Sequence, residues 1–381
     1  MSNQFGLKEI EKAGDIAGKR VLLRLDLNVP IDGGKIRDDF RIKKELPTIE
    51  YLKEKGAKII AVSHISHIKN TDKVSLAPVG EYLSGFIGDL EFVPGDAPVT
   101  NFLEKTKSLE NGHILLLDNL RFYPGEEENK KEFAEDLAKL ADLYVNEAFS
   151  ASHREHASIV SLPKLLPHFA GKLFLEEVEN LSKIFTPEHP FYVILGGAKF
   201  STKLPLVEKF LPLAEKIFIV GALAHDFYAK KGLEIGKSLV DKDINIENLM
   251  GNEKIILPTD VVVQNDHGRE TKEVLYVNPN EVIFDAGPRS VDDIVNAISD
   301  GKLILWNGPL GNYEFGFKEG TETLAKAIAH MSAFSVVGGA DTIASIEEYN
   351  IEKDFGFVST GGGAMLDFLA KGTLPGIEAL K

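Results

Sequence analysis

The feature that most constrains the fold of this chain is a repeated alternation of short apolar runs with stretches of helical spacing. The runs are rich in Val, Ile and Leu, and helix-like stretches such as 44–55 and 131–141 separate them. Continuous apolar runs are typical of strands buried on both faces, and their alternation with helices is typical of parallel sheets. The pattern predicts strands at 21–25, 58–62, 113–117, 143–145, 192–195, 216–220, 255–257, 303–306, 334–337 and 356–358.

The predicted strands form two groups, one in each half of the chain. Between the groups, residues 171–184 carry apolar side chains at helical spacing, and Pro187 and Pro190 follow. A length of 381 residues also suits two domains. We therefore predict an α/β protein with two doubly wound, Rossmann-like parallel-sheet domains that are joined by a helix and leave a central cleft.

Charge and composition exclude several classes of function. The chain has 43 Lys and Arg against 58 Asp and Glu, and this net charge of −15 would repel nucleic acid and anionic membranes. It has no Cys, which excludes disulfides, thiol nucleophiles and thiolate metal sites. The segment 1–19 lacks the apolar core of a signal peptide, and no apolar run approaches the length of a membrane span. We expect a cytoplasmic protein.

Ligands of open parallel sheets bind beyond the carboxyl ends of the strands, so the residues after each predicted strand are the candidates for function. In the first half these residues are polar or cationic, and the main candidates are Asp26, Asn28, His64, Arg121 and Arg154. Arg41, which follows Asp38 and Asp39, extends the set. A single Arg is more often a solvated surface residue, but several strand ends together predict a positive patch for a small polyanion, such as a phosphorylated carboxylic acid.

In the second half the residues after the strands are rich in glycine. They are 196–199, 221, 307–311, 338–342 and 360–363. One Gly-Gly pair alone predicts only a tight turn, but several loops whose N–H groups can approach a phosphate predict a nucleotide site. The chain lacks both a Walker A loop and a G-x-G-x-x-G motif after a strand. The pattern therefore favours two different phosphate-binding surfaces, as a kinase requires.

Together these strand ends resemble the motifs of the phosphoglycerate kinase family. The resemblance rests on RLDLNVP at 24–30, LRFYPGE at 120–126, GGAK at 196–199, WNGP at 306–309 and STGGGA at 359–364. It runs in order from Gly18 to the segment 374–377, which is nearly the whole chain. It implies reversible phosphoryl transfer between 1,3-bisphosphoglycerate and MgADP, giving 3-phosphoglycerate and MgATP, in glycolysis and gluconeogenesis.

The resemblance also implies a role for individual residues. The phosphoglycerate would be held by Asp26, Asn28, Arg41, His64, His67, Arg121 and Arg154. The nucleotide would be held by Gly197, Lys203, Gly221, Gly287, Asn307, Glu314, Gly339, Ala340, Asp341 and Thr342. Within that set Glu314 would bind the ribose, and Asp341 would lie near the magnesium ion of MgATP or MgADP. The charge on the transferred phosphoryl group would be neutralised by Arg41, Lys199, Gly361 and Gly362.

The resemblance further implies how the domains are divided. The C-terminal segment of the family returns to the N-terminal domain, so we expect residues 1–170 and 366–381 to form the phosphoglycerate-binding domain. Residues 171–186 would form the interdomain helix, and 187–365 the nucleotide-binding domain. The family usually works as a monomer, and we expect the same here.

The chain departs from the family motifs at both predicted sites. In the acceptor loop His67 stands where the family has Arg, and in the adenine loop Val220 stands where it has Gly. The nucleotide loops also carry Thr202 in place of Asp, Ala340 in place of Gly, and Asn312-Tyr313 in place of Val-Phe. These changes leave two alternatives to an active phosphoglycerate kinase open. One is a kinase with a different acceptor, and the other is a nucleotide-binding pseudoenzyme.

Overall fold

The computed structural model describes residues 5–66, 74–241 and 244–381. The chain divides into two compact units, of which the first runs to Glu179 and includes Lys371–Lys381, and the second spans Asn180–Ala370. Each unit contains a parallel sheet with helices, which confirms the predicted two-domain α/β fold. Among the described helices, none combines the length and the apolar character that crossing a membrane would require.

The first unit is built on a six-stranded sheet. The strands are β1 (Arg20–Arg24), β2 (Ile31–Asp32), β3 (Lys35–Ile36), β4 (Lys58–Val62), β5 (Leu90–Val93), β6 (Ile114–Leu117), β7 (Leu143–Asn146) and β8 (His168–Ala170). The sheet is parallel throughout, in the order β5-β6-β4-β1-β7-β8, while β2 and β3 form a separate antiparallel pair. The helices are α1 (Phe40–Glu54), α2 (Ala77–Ile87), α3 (Leu103–Ser108), α4 (Pro124–Glu127), α5 (Lys131–Ala138) and α6 (Lys172–Ser182), with the C-terminal Pro375–Ala379.

The second unit repeats this plan and adds a smaller sheet. Its strands are β9 (Phe191–Leu195), β10 (Lys216–Ile219), β11 (Ile255–Ile256), β12 (Asp260–Asn265), β13 (Gly268–Glu273), β14 (Val282–Ala286), β15 (Leu303–Asn307), β16 (Phe334–Gly338) and β17 (Phe357–Val358). The large sheet is parallel in the order β11-β10-β9-β15-β16-β17, and β13-β12-β14 form an antiparallel sheet. The helices are α7 (Leu204–Phe210), α8 (Ala222–Lys230), α9 (Pro288–Ala297), α10 (Glu319–Ala329), α11 (Ala340–Glu347) and α12 (Gly363–Lys371), and the C-terminal helix named above is α13.

In both units the strand order reverses beside the first strand of the sheet. The chain leaves β1 for β4 on one side and returns to β7 on the other, and β9 has the same position between β10 and β15. Loops that leave two neighbouring strands in opposite directions open a crevice at the carboxyl end of the sheet. Asp26 follows β1, and Gly196 follows β9, so the predicted candidates lie at these two crevices.

A buried carboxyl group holds the start of α6 in the first unit. One oxygen of Glu147 accepts hydrogen bonds from the N–H of Leu173, at 3.0 Å, and from the hydroxyl of Thr48. The other oxygen accepts from the N–H of Phe174 at 3.4 Å. These N–H groups belong to the first turn of the helix and have no partner within it. Burial raises the pKa of Glu147 to about 7, although the three donors oppose that shift.

We expect Glu147→Gln to flatten the pH dependence of stability. Because the pKa of Glu147 is higher in the folded chain than the usual 4.5, folding favours its protonated form. The free energy of unfolding should therefore fall as pH rises from about 5 to about 7, by at most about 3 kcal/mol, and stay level above that. Urea unfolding at several pH values checks this prediction. The control is Glu179→Gln, at an exposed residue of α6. Equal slopes in the wild type and Glu147→Gln would refute it.

Candidate functional site

Asp26 is the centre of the predicted site in the first unit. Its carboxylate forms an ion pair of 3.0 Å with Arg41, and it accepts hydrogen bonds from the hydroxyl of Ser150 and the N–H of Asn28. Burial alone would raise the pKa of Asp26, but the positive charges of Arg41 and Arg24 and the hydrogen bond from Ser150 outweigh it and lower the pKa to about 2. Asp26 is therefore a fixed negative charge that holds Arg41 in place, with Arg41 also donating to the carbonyl of Asn28 at 2.8 Å.

His64 connects Asp26 to two more arginines. Its Nδ1 lies 3.9 Å from a carboxylate oxygen of Asp26 and 3.2 Å from a guanidinium nitrogen of Arg24, and its Nε2 lies 3.5 Å from Arg154. Burial lowers the pKa of His64 well below its usual range, and the neighbouring arginines lower it further, against the opposing effect of Asp26. His64 is consequently neutral near pH 7 and takes part as a hydrogen-bonding group.

Arg24 is a member of this site that the sequence analysis did not select. Its side chain is fully buried at the end of β1, where Nε donates to the hydroxyl of Ser158 at 2.9 Å. Glu126, which is also buried, accepts hydrogen bonds from the same hydroxyl and from the N–H of Ser158. A charged residue inside a buried apolar strand was the signal available in the sequence, because such a charge is retained only with dedicated partners.

Arg121 and Arg154 complete the site, which we call the basic cluster: Arg24, Arg41, His64, Arg121 and Arg154 around Asp26. Burial and the positive charge of Arg121 lower the pKa of Arg154. Arg121 itself pairs with Glu127 at 3.2 Å. The predicted residue His67 lies outside the described residues. The structure thus brings the other predicted residues of the first unit together, and it leaves several cations close to one another.

The crevice of the second unit is formed by two loops in close contact. The N–H of Gly196 donates to the carbonyl of Asn307 at 2.9 Å, and the N–H of Gly197 donates to that of Pro309 at 3.2 Å. Gly308 lies between these contacts, with a φ of 98°. A β-carbon on Gly308 would overlap the carbonyl oxygen of Gly196. Glycine is therefore required here by both backbone conformation and space.

Lys203 is held against the same loops. Its ammonium group donates to the side-chain oxygen of Asn307, and burial lowers its pKa to about 8. The hydroxyl of Thr342 accepts from the N–H of Gly308 at 3.1 Å, and a β-carbon on Gly339 would lie in contact with that hydroxyl. Four predicted nucleotide residues thus form one group: Lys203, Asn307, Gly339 and Thr342. Ala340 follows as the first residue of α11.

A cavity of about 450 Å³ adjoins this group. Four of its lining residues were predicted, namely Gly197, Gly221, Glu314 and Asp341. Burial raises the pKa of Asp341, and the carboxylate of Glu314 raises it further, which means that the two carboxylates repel each other. The wall also contains residues that sequence reasoning missed, among them Tyr228, Lys237, Phe284 and Asp285. Phe284 and Asp285 belong to β14, a strand that was not predicted.

Two residues named from the sequence, Val220 and Gly287, are chain neighbours of residues that line this cavity. Val220 lines a separate cavity of about 150 Å³, whereas its neighbour Gly221 lines the larger one. The reason is that successive residues at a strand end point to opposite sides. Gly287 packs against Asp260 at the start of α9, and its neighbour Ala286 lines the cavity.

Three of the four residues expected to neutralise charge lie in loops before helices: Lys199, Gly361 and Gly362. Lys199 is exposed and precedes a 3-10 turn, Phe200–Thr202, while α7 begins only at Leu204. Lys203, four residues further along the chain, is buried, so the two lysines differ in exposure. Gly361 and Gly362 precede α12, and the N–H of Gly361 donates to the hydroxyl of Ser359 at 3.1 Å. Met365 of that helix contacts the amide of Asn307 at 3.7 Å.

Two parallel α/β units, one with the basic cluster and the other with a glycine-lined cavity, are the features of a two-domain α/β kinase. The family model for phosphoglycerate kinase matches residues 10–372. The chain belongs to the phosphoglycerate kinase family, and its activity is that of a phosphoglycerate kinase of glycolysis.

Curated relatives and solved structures agree with this assignment. The chain is 40% identical to a phosphoglycerate kinase of Thermus thermophilus, over 96% of this chain and 98% of that protein. It is 43% identical to one of Orientia tsutsugamushi, over 96% and 95%. The structure is similar to phosphoglycerate kinase from Pyrococcus horikoshii, with a TM-score of 0.87, 32% identity and 98% coverage of both chains. The corresponding values for the Coxiella burnetii enzyme are 0.82, 33% and 98% of both chains.

Proposed function

We propose that the first unit binds 3-phosphoglycerate or 1,3-bisphosphoglycerate at the basic cluster. The observation that carries this proposal is the crowding of cations around one ionised carboxylate. Asp26 compensates part of the charge of Arg41, but Arg24, Arg121 and Arg154 together lower the pKa of His64. Binding a phosphate and a carboxylate would relieve this repulsion, and guanidinium groups bind both in a forked geometry.

In the second unit, we propose that ADP or ATP binds in the cavity of about 450 Å³. Gly221 precedes α8, and Gly339 precedes α11. The first N–H groups of each helix can donate hydrogen bonds to phosphate oxygens. Lys203 supplies a buried positive charge beside these loops. Glu314 lines the cavity and would accept hydrogen bonds from the ribose hydroxyls. Gly197, Asn307, Ala340 and Thr342 would shape the phosphate end, and Gly287 would support the base end.

The residues also fit a magnesium ion that arrives with the nucleotide. Among the described residues there is no group of three or more carboxylate or imidazole side chains suited to hold a metal. Mg²⁺ commonly binds through one or two carboxylates and the phosphates of a substrate. Asp341 lines the cavity at the start of α11 and would supply such a ligand, and the ion would offset charge on the phosphates.

For the transfer itself, we propose electrostatic stabilisation without a covalent intermediate. Arg41 and Lys199 would lie against the transferred phosphoryl group. The N–H groups at Gly361 and Gly362 would donate hydrogen bonds to its oxygens. Fixed charges and donors of this kind stabilise the charge that spreads over the phosphoryl oxygens in the transition state. The chain would act as a cytoplasmic monomer without nucleic-acid or membrane partners, which fits its net charge of −15.

The proposal is tested by initial rates of transfer from MgATP to 3-phosphoglycerate, measured with a coupled dehydrogenase. We expect saturable turnover, and we expect Lys199→Ala to lower kcat about 100-fold with little change in the KM for either substrate, because its contact would form only in the transition state. Lys231→Ala, at an exposed lysine after α8, is the matched control. An equal kcat in both variants would exclude Lys199 from the transfer step. Folded wild-type protein without turnover would favour the pseudoenzyme.

A further inference from the structure

The loop after β15 contains two polar groups that the family motif lacks. Where the motif has Val-Phe, this chain has Asn312 and Tyr313, directly before Glu314. All three residues line the nucleotide cavity. The two replacements add an amide and a phenol hydroxyl to the loop that carries the carboxylate proposed to bind ribose. Their contacts show what these groups do.

The hydroxyl of Tyr313 joins a closed set of three side chains, which we call the Tyr313 clamp: Tyr313, Lys318 and Glu348. The hydroxyl donates to a carboxylate oxygen of Glu348 at 2.6 Å. The ammonium group of Lys318 donates to the same oxygen at 2.9 Å and lies 4.4 Å from the centre of the Tyr313 ring. Each member contacts the other two through a charge-assisted hydrogen bond or a cation–π contact. A phenylalanine at 313 would keep the ring contact and lose the bond to Glu348.

Asn312 fixes the same loop from the other side. Its side chain accepts from the N–H of Phe315 at 3.3 Å, which caps the 3-10 turn Tyr313–Phe315. Its own N–H donates to the carbonyl of Phe284, at 2.7 Å, and its carbonyl accepts from the N–H of Phe317. Glu314 is therefore the middle residue of a turn held by Asn312 before it and by the Tyr313 clamp around it.

The clamp also connects this turn to α11. Asp341 lies in the first turn of that helix, and Glu348 directly follows its last residue. The Tyr313 clamp therefore connects the loop that contains Glu314 to α11, the helix that contains Asp341. We infer that Tyr313, acting through Glu348 and Lys318, is a positioning residue that holds Glu314 for the ribose hydroxyls and so gives the site its preference for ribonucleotides. This inference rests on the ribose role proposed for Glu314.

The same unit contains a matched control for the chemistry of the clamp. The hydroxyl of Tyr349 donates to Glu322 at 2.6 Å, and the ammonium group of Lys326 lies 3.6 Å from the centre of the Tyr349 ring. This second set has the same three residue types, with the same hydrogen bond from tyrosine to glutamate and the same contact of lysine with the ring. In the described part of the chain none of its members lines the nucleotide cavity. Tyr349→Phe thus removes an equivalent hydrogen bond at a distance from Glu314.

The test measures the Kd of MgATP and of its 2′,3′-dideoxy analogue by calorimetry. We expect the wild type to favour ATP about tenfold, the worth of a good hydrogen bond to a charged group. Tyr313→Phe should weaken ATP binding roughly three- to tenfold and leave the Kd of the dideoxy analogue unchanged, so that the preference is largely lost. Lys318→Met should show the same trend to a smaller degree. Tyr349→Phe should keep the full preference.

Glu314→Gln separates the two ways in which this inference can fail. If Glu314→Gln loses the preference for ATP while Tyr313→Phe keeps it, the ribose role of Glu314 holds and the clamp is not a positioning device. If the wild type and Glu314→Gln discriminate equally, the ribose role itself is wrong and the inference falls with it. A loss of affinity in Tyr313→Phe that is equal for both nucleotides would mean that the clamp supports the cavity as a whole, which also overturns the inference.

Discussion

Replacing Arg41 with Gln is expected to lower kcat/KM for 3-phosphoglycerate by about 1,000-fold, the largest loss of activity expected from a change in the basic cluster. Arg41 has two tasks there. It forms the ion pair with Asp26 and would neutralise charge on the substrate. Gln keeps a hydrogen-bond donor but removes the positive charge, so the buried carboxylate of Asp26 loses its main electrostatic partner. Breaking such a pair leaves an uncompensated charge at the place where an anionic substrate must bind.

Arg37→Gln is the control for Arg41→Gln. Arg37 is an exposed arginine in the same unit that pairs with Asp32 at the surface, where an ion pair contributes little. Steady-state rates with both substrates varied, together with circular dichroism of each variant, separate loss of function from loss of fold. A folded Arg41→Gln variant whose kcat/KM lies within threefold of the wild type would remove Arg41 from the proposed catalytic group. The Arg37→Gln variant should retain wild-type rates.

The central strands could be predicted because burial on both faces leaves a continuous apolar run. β4 matches its predicted bounds, β1 is shifted by one residue, and β6 and β7 each differ from theirs by one residue at one end. The antiparallel sheet of β12, β13 and β14 was not predicted, although the turn between β12 and β13 is short. β13 reads Gly-Arg-Glu-Thr-Lys-Glu, and its exposed, charged side chains give no apolar signal. Its place in the fold is set by pairing with β12, which is a tertiary effect.

The identity of the site residues was easier to predict than their orientation. Strand ends placed Asp26, Arg41, His64 and Arg154 in one cluster, as expected. Yet Val220 and Gly221 are neighbours that face different cavities, and Lys199 and Lys203 differ in burial although both follow β9. Local sequence cannot settle such cases, since the direction of a side chain depends on backbone dihedral angles fixed by packing. For the same reason, the sequence did not predict that Arg24 would donate to Ser158 or that Glu126 would accept from Ser158.

The expected result for Gly308→Ala is loss of nucleotide binding together with a destabilised second unit. Alanine at a φ of 98° is strained by about 1–2 kcal/mol, and its β-carbon would overlap the carbonyl oxygen of Gly196. The loops would have to separate, which adds roughly 1–3 kcal/mol and breaks the hydrogen bond from Gly308 to Thr342. Since these loops carry Lys203 and Asn307, we expect the affinity for MgADP to fall more than 100-fold by calorimetry and the Tm to fall by several degrees.

Gly268→Ala isolates the contribution of the contact from that of the backbone strain. Gly268 begins β13 in the same unit with a φ of 116°, and no heavy atom lies within 4 Å of the place where its β-carbon would stand. This variant should therefore be destabilised only by the strain, about 1–2 kcal/mol, and should bind MgADP as tightly as the wild type. If Gly308→Ala behaves like Gly268→Ala in both measurements, close contact between the loops after β9 and β15 is not what forms the nucleotide site. If only Gly308→Ala has a lowered affinity for MgADP, the close approach of Gly308 to Gly196 is what forms the nucleotide site.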